Sequence, residues 1–186
     1  MENKLKINCV IGVDPGAGGG LAVFIPDQKT KAVKMPKDIT DLRDFFAYYA
    51  DNYKPIVFLE KLSVRPDDIR TDGDKPNMGK LFRVQKMMAN YEHLKAIIET
   101  AGIPYVMVHP GKWIAYLGLR LTGKQETKQE RKNRYKEFAS KNYPEIQVTL
   151  WNGDALNILH FGRKVLVNNP KWVRANLPVR EHDKIF

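Results

Sequence analysis

The chain predicts an α/β fold, and three observations carry that prediction. Short apolar runs recur along it, at Ile7–Val13, Leu21–Ile25, Ile56–Leu59 and Pro104–His109. Longer segments with apolar residues at helical spacing alternate with the later runs. The first strands follow one another through turns, as an antiparallel meander does, whereas Ile56-Val57-Phe58-Leu59 is apolar throughout, which suits a central strand buried on both faces.

Taken in order, Lys4–Val13 is the first strand. It ends on Asp14, and Pro15 with Gly16, Gly18, Gly19 and Gly20 then turns the chain into Leu21–Ile25. Lys31–Met35 closes the meander. Asp38–Tyr53 is a helix with Leu42, Phe45, Phe46 and Tyr49 on one face and acids near its start. Residues 65–76 mix Pro, Gly, Asp and Arg without a period and are expected to form a loop. Asn77–Ala101 is the longest helical pattern, with Leu81, Val84, Met88, Tyr91, Leu94 and Ile98 in phase and Gly102 as its stop. Phe82 reads most simply as a core residue. Pro110–Leu119 is a connector or short helix. Thr127–Asn142 is a basic helix with a capping box at Thr127 and Glu130. Asn152–Gly162 is the last strongly patterned segment. Residues 1–164 thus form one domain, and 165–186 are expected to be a basic, irregular, Pro-interrupted extension.

Composition narrows the function. The formal charge is +10, which suits a polyanionic partner, nucleic acid ahead of a membrane surface. No apolar run approaches membrane-spanning length, and Met1–Lys6 is too short and polar for a signal peptide. Cys9 is the single cysteine, so no disulfide framework or cysteine-based zinc site exists within this chain. A reducing, cytoplasmic setting is expected, the host's if a phage encodes the protein.

The chemistry points to acids. Asp14 and Glu60 each end an apolar run, and neighbouring strands would bring both to one sheet edge. Asp154, in the first turn of a late helix, can meet them there, although on its own it could be simply a favourable first-turn acid. Gathered carboxylates repel one another unless a cation neutralises them. Hard oxygen ligands suit Mg²⁺, or Mn²⁺. Two such ions roughly 3.5–4 Å apart are the usual apparatus for hydrolysing a phosphodiester.

Four elements now stand in order: Ile11-Gly12-Val13-Asp14-Pro15-Gly16, Val57-Phe58-Leu59-Glu60-Lys61, His109-Pro110-Gly111-Lys112-Trp113 and Gly153-Asp154-Ala155-Leu156. Together they resemble the RuvC family of Holliday junction resolvases, within the RNase H-like superfamily. The likeness is to divergent phage-type members with a Pro-x-x-Trp segment and a Lys-rich helix ending near Tyr143-Pro144. The resemblance implies an RNase H-like fold, a five-stranded mixed sheet flanked by helices. It implies a homodimer using the helix Asn77–Ala101, two Mg²⁺ per active site, no nucleotide cofactor, and paired nicks across a four-way DNA junction. Asp14, Glu60 and Asp154 carry over as catalytic metal ligands. Either Lys128 or Lys132 corresponds to the family's active-site lysine.

Two positions depart from the family. Its fourth ligand position, three residues before the last acid, is Trp151 here, which leaves Asn152 and His160 as substitutes, although a histidine placed like His160 is more often a packed helix residue than a ligand. The aromatic wedge that can follow the strand-end glutamate is replaced by Ser63, so junction opening would fall to Arg65, Arg70, Phe82 or Arg83. Expected DNA contacts are Arg65, Arg70, Arg83, Lys112, Lys124, Lys128, Arg131, Lys132 and Arg134. Other readings are an RNase H-like nuclease for other branched DNA, a non-catalytic junction-binding protein, and a sugar-kinase or actin-like ATPase. The last needs two such domains, and 186 residues leave no room for them.

Overall fold

A computed structural model of the chain describes residues 7–16, 18–64, 68, 70, 71, 73–121 and 126–178, with backbone alone at 70, 71 and 73–76. The meander is as expected: β1 (Cys9–Asp14), β2 (Gly20–Phe24) and β3 (Lys31–Lys34) pair antiparallel in sequence. α1 (Ile39–Asn52) follows, its first turn capped by Asp38, whose carboxylate accepts from the Thr40 N–H at 2.7 Å. β4 (Pro55–Glu60) then lies parallel to β1 on the side away from β2. β5 (Arg70–Thr71) and β6 (Gly73–Pro76) form a separate two-stranded ribbon. α2 (Met78–Thr100) leads to β7 (Tyr105–Val108), which is parallel to β4. α3 (Pro110–Tyr116), α4 (Lys128–Asn142), α5 (Gly153–Asn168) and α6 (Pro170–Ala175) complete the chain. Among the described residues the main sheet has five strands, ordered β3-β2-β1-β4-β7 and mixed in direction.

Strand alternation divides the core into two layers. Val10, Ala22, Ile56, Phe58, Val106 and Val108 face α5, with Trp113, Tyr135 and Ala139 in the same layer. Cys9, Ile11, Val13, Leu21, Val23, Val57, Leu59 and Tyr105 face α1 and α2, meeting Leu42, Phe46, Tyr49, Tyr91, Leu94 and Ile98. α5 sits directly on the sheet. A side chain at Gly12 would collide with the α5 backbone at Ala155 and Leu159, and one at Gly162 would collide with the Phe58 ring.

Three expectations need correcting. The segment from Val165 is helical rather than irregular: α5 runs to Asn168, Asn169 caps α6 by accepting from the Trp172 N–H at 3.2 Å, and Val165 and Val173 are buried. Residues 179–186 lie outside the described residues. Phe82 is not core. It is 72% exposed, because it lies on the opposite face of α2 from the buried Tyr91, Leu94 and Ile98. Within 65–76, which was expected to be a loop, the chain forms the β5–β6 ribbon.

Candidate active site

The register of β1 and β4 sets Val13 beside Leu59, so the next residues, Asp14 and Glu60, emerge together at the same sheet edge. Asp154 reaches that edge from the first turn of α5, brought close by the contact of α5 with β1 that Gly12 permits. The glycine turn is shaped around Asp14. The Gly16 N–H donates to its Oδ1 at 3.2 Å, and a side chain at Gly19 would stand 2.6 Å from its carboxyl carbon. Glu60 accepts at Oε1 from the Trp113 indole N–H at 2.9 Å. Trp113 comes from α3, which starts directly after β7 with His109 as cap and Pro110 in its first turn.

α4 supplies the cation. The Lys132 ammonium donates to Asp154 Oδ2 in an ion pair. α4 and α5 lie parallel here, since Lys132–Asp154, Tyr135–Asn157 and Phe138–His160 all meet at the same sequence offset. A cleft of about 270 Å³ opens between Glu60, Trp113, Arg131, Lys132, Tyr135 and Asp154.

Electrostatics mark this edge as under-neutralised. Burial pushes the Asp14 carboxyl up to about 6, and the charge of Asp154 adds to it, against the Gly16 hydrogen bond and Lys132. Burial pushes Glu60 up to about 7, with the Asp14 and Asp154 charges in the same direction and the Trp113 hydrogen bond and Lys132 opposed. At Lys132, burial works against the charged form, but Asp154, Asp14 and Glu60 together outweigh it and hold the ammonium above its usual range. Among the described residues, all three carboxylates thus interact with the Lys132 ammonium.

These residues fit a divalent cation by their chemistry, being hard oxygen donors with negative charge in excess. Among the described residues no three carboxylate, imidazole or thiol groups are close enough to enclose an ion as the side chains lie, and Lys132 stands as the cation at Asp154.

No protein-family model matches the sequence, and no curated protein matches it. Solved structures do match. The structure of T. thermophilus RuvC in complex with Holliday junction substrate aligns over 87% of this chain and 96% of that one, with TM-score 0.53 and 16% sequence identity. The chain has the RuvC fold. A second structure, Thermus thermophilus RuvC, aligns over 85% of this chain and 95% of that one, with TM-score 0.49 and 15% identity. The five-stranded mixed sheet implied by the sequence motifs is therefore the sheet of RuvC, extended over most of the chain.

On this RuvC fold the remaining sequence candidates separate. Of the two lysines, Lys132 meets the acids, while Lys128 is exposed at the start of α4. Arg131 lines the cleft. Arg134 is held by Glu126 and donates to the Leu119 carbonyl at 2.8 Å. Lys112 lies over the Trp172 ring, 4.9 Å from its centroid. Arg83 is exposed on α2 and donates to the Gly79 carbonyl at 3.2 Å. Arg65 and Lys124 lie outside the described residues, and so does the side chain of Arg70.

Neither substitute ligand joins the acids. His160 packs edge-on against Phe138 and Tyr143 and lines a different cavity with Ile7, Asn8 and Phe24, toward the opposite end of β1 from Asp14. Burial, with Lys164 and Arg163 nearby, holds its imidazole below the usual range. The Asn152 side chain is spent on its own loop. Its Oδ1 accepts from the Thr149 N–H at 2.7 Å and its Nδ2 donates to the Gln147 carbonyl at 3.2 Å. Trp151 packs over Gly20 at the start of β2. Sequence reasoning missed the pairing of Trp113 with Glu60. The Pro-x-x-Trp segment was its only trace.

Proposed function

We propose that this protein is a divalent-metal-dependent endonuclease for branched DNA, a Holliday junction resolvase that nicks four-way junctions in pairs. The observation that carries the reading is the meeting of Asp14, Glu60 and Asp154 with Lys132 at one sheet edge in a chain of charge +10. The fold likeness to a RuvC whose structure holds a Holliday junction substrate supports it.

In this reading Asp14, Glu60 and Asp154 hold Mg²⁺ or Mn²⁺, two ions at full occupancy. A cation held there would supply Lewis acidity, making the attacking water more acidic and offsetting charge on the departing 3′ oxygen. The chain's own groups do the rest. Asp14 and Glu60 are fixed by the Gly16 and Trp113 donors. Lys132 carries positive charge beside Asp154, where a bound phosphate accumulates negative charge. Arg131, at the cleft, and Lys128, one helical turn before Lys132, grip the phosphate backbone without reading sequence. The first half of α2, with Met78 63% and Phe82 72% exposed, serves as the homodimer contact. Light scattering at micromolar concentration should then give twice the chain mass; a monomer would count against this contact.

The test is a labelled four-way junction incubated with the protein in Mg²⁺ and in EDTA, beside Asp14→Asn. Paired nicks that need both the metal and Asp14 are expected. A second reading, a junction binder without cleavage, is favoured by Trp151 at the fourth ligand position; tight binding with intact strands in Mg²⁺ would select it. Replication forks and flaps as competitors test whether the four-way junction is the preferred substrate.

A further inference from the structure

Glu60 owes its orientation to a side chain on another element. The Trp113 indole is a donor only, and its N–H takes Oε1 at 2.9 Å. Trp113 is itself immobilised. It is 1% exposed and packs edge-on against Tyr135, with ring centroids 5.2 Å apart. The Tyr135 carbonyl accepts from the Asn157 side-chain amide at 3.0 Å, and Asn157 is completely buried. Tyr135 lies one helical turn beyond Lys132, and Asn157 one turn beyond Asp154. A buried chain of contacts, Glu60–Trp113–Tyr135–Asn157, therefore ties the strand-borne carboxylate to the two helices that carry the other charged groups.

We propose that Trp113 is a positioning residue for Glu60, holding one carboxylate oxygen so that the other faces an incoming divalent cation. The inference rests on the metal-dependent reading above. Donors behind a ligating group commonly matter about 10–100-fold in metal affinity.

The test follows thermal unfolding of the full chain across an Mn²⁺ titration, for the parent, Trp113→Phe, Glu60→Gln and the parent carrying at position 113 the sulfur isostere of tryptophan, benzothienylalanine, which keeps the shape and loses the N–H. The parent should gain stability with Mn²⁺, and Glu60→Gln should lose most of that gain. Trp113→Phe and the isostere should need about 10-fold more Mn²⁺ for the same gain, while binding a four-way junction in EDTA as the parent does. Should Trp113→Phe not fold, the isostere decides. Parent-like Mn²⁺ dependence in the isostere overturns the positioning role and leaves the metal reading standing. No Mn²⁺ gain in the parent overturns both.

Discussion

α4 and α5 lie side by side over the same cleft, yet they are built in opposite ways. α5 buries residues 153–159, then Phe161, Gly162 and Val165, and packs on β1, β2 and β4. α4 buries Tyr135 and Ala139, and most of its remaining surface is polar and basic. The carboxylate at Asp154 is thus mounted on an element that cannot shift without opening the core. The ammonium at Lys132 sits on an element held by a thin apolar face. A fixed anion beside a more adjustable cation is what a site needs if the cation must give way to an incoming ion.

The comparison can be broken from the α5 side with the largest effect. Gly12→Ala or Gly162→Ala forces α5 off the sheet, and a loss of about 1–3 kcal/mol or more is expected in denaturant unfolding. A substitution on the polar face of α4, such as Asn133→Ala, should stay within about 0.5 kcal/mol. Next comes Lys132→Met, which keeps the stem and removes the charge. We expect it to cut junction cleavage by about 10²–10³-fold, with folding retained; cleavage at the parent rate would remove Lys132 from the site.

The third prediction concerns pH. Asp14 and Glu60 titrate near 6 and 7 in the fold but near 3.8 and 4.5 as free groups. The folded state therefore binds more protons between about pH 4 and 7. Metal-free stability should fall as pH rises through that window, by an amount on the order of 6 kcal/mol. An Asp14→Asn, Glu60→Gln double variant should flatten this dependence and be the more stable protein at pH 7, so equal melting profiles for the two proteins would refute the cost of burying these charges. The smallest effect separates two arginines three residues apart. Arg131→Ala should weaken junction binding a few-fold and lower the salt slope by about 1. Arg134→Ala should instead cost stability, since it leaves Glu126 and the Leu119 carbonyl without their partner, and leave the salt slope alone.

The acids that end β1 and β4 were legible because two apolar runs stop abruptly on a carboxylate. Lys132 was not legible against Lys128. One helical turn separates them, and only the placement of α5 decides which one meets Asp154. Phe82 reads as core on its apolar character alone, but it lies on the opposite face of α2 from Tyr91, Leu94 and Ile98, and the face decides. Pro170 looked like an interruption and is instead a helix start. Arg134 carries the same charge as Arg131, and charge alone does not reveal that Glu126 neutralises it.

β3 forms one margin of the main sheet, and its outer row of amides and carbonyls faces no further strand there. Lys31 and Lys34 lie at its two ends, both exposed, and Pro36 follows immediately. Lysines and a proline on an open margin discourage another chain from adding itself as a sixth strand, since each addition would bring like charges together or lack a donor. The β3 margin is thereby guarded against runaway strand addition. Self-association through β3 is disfavoured.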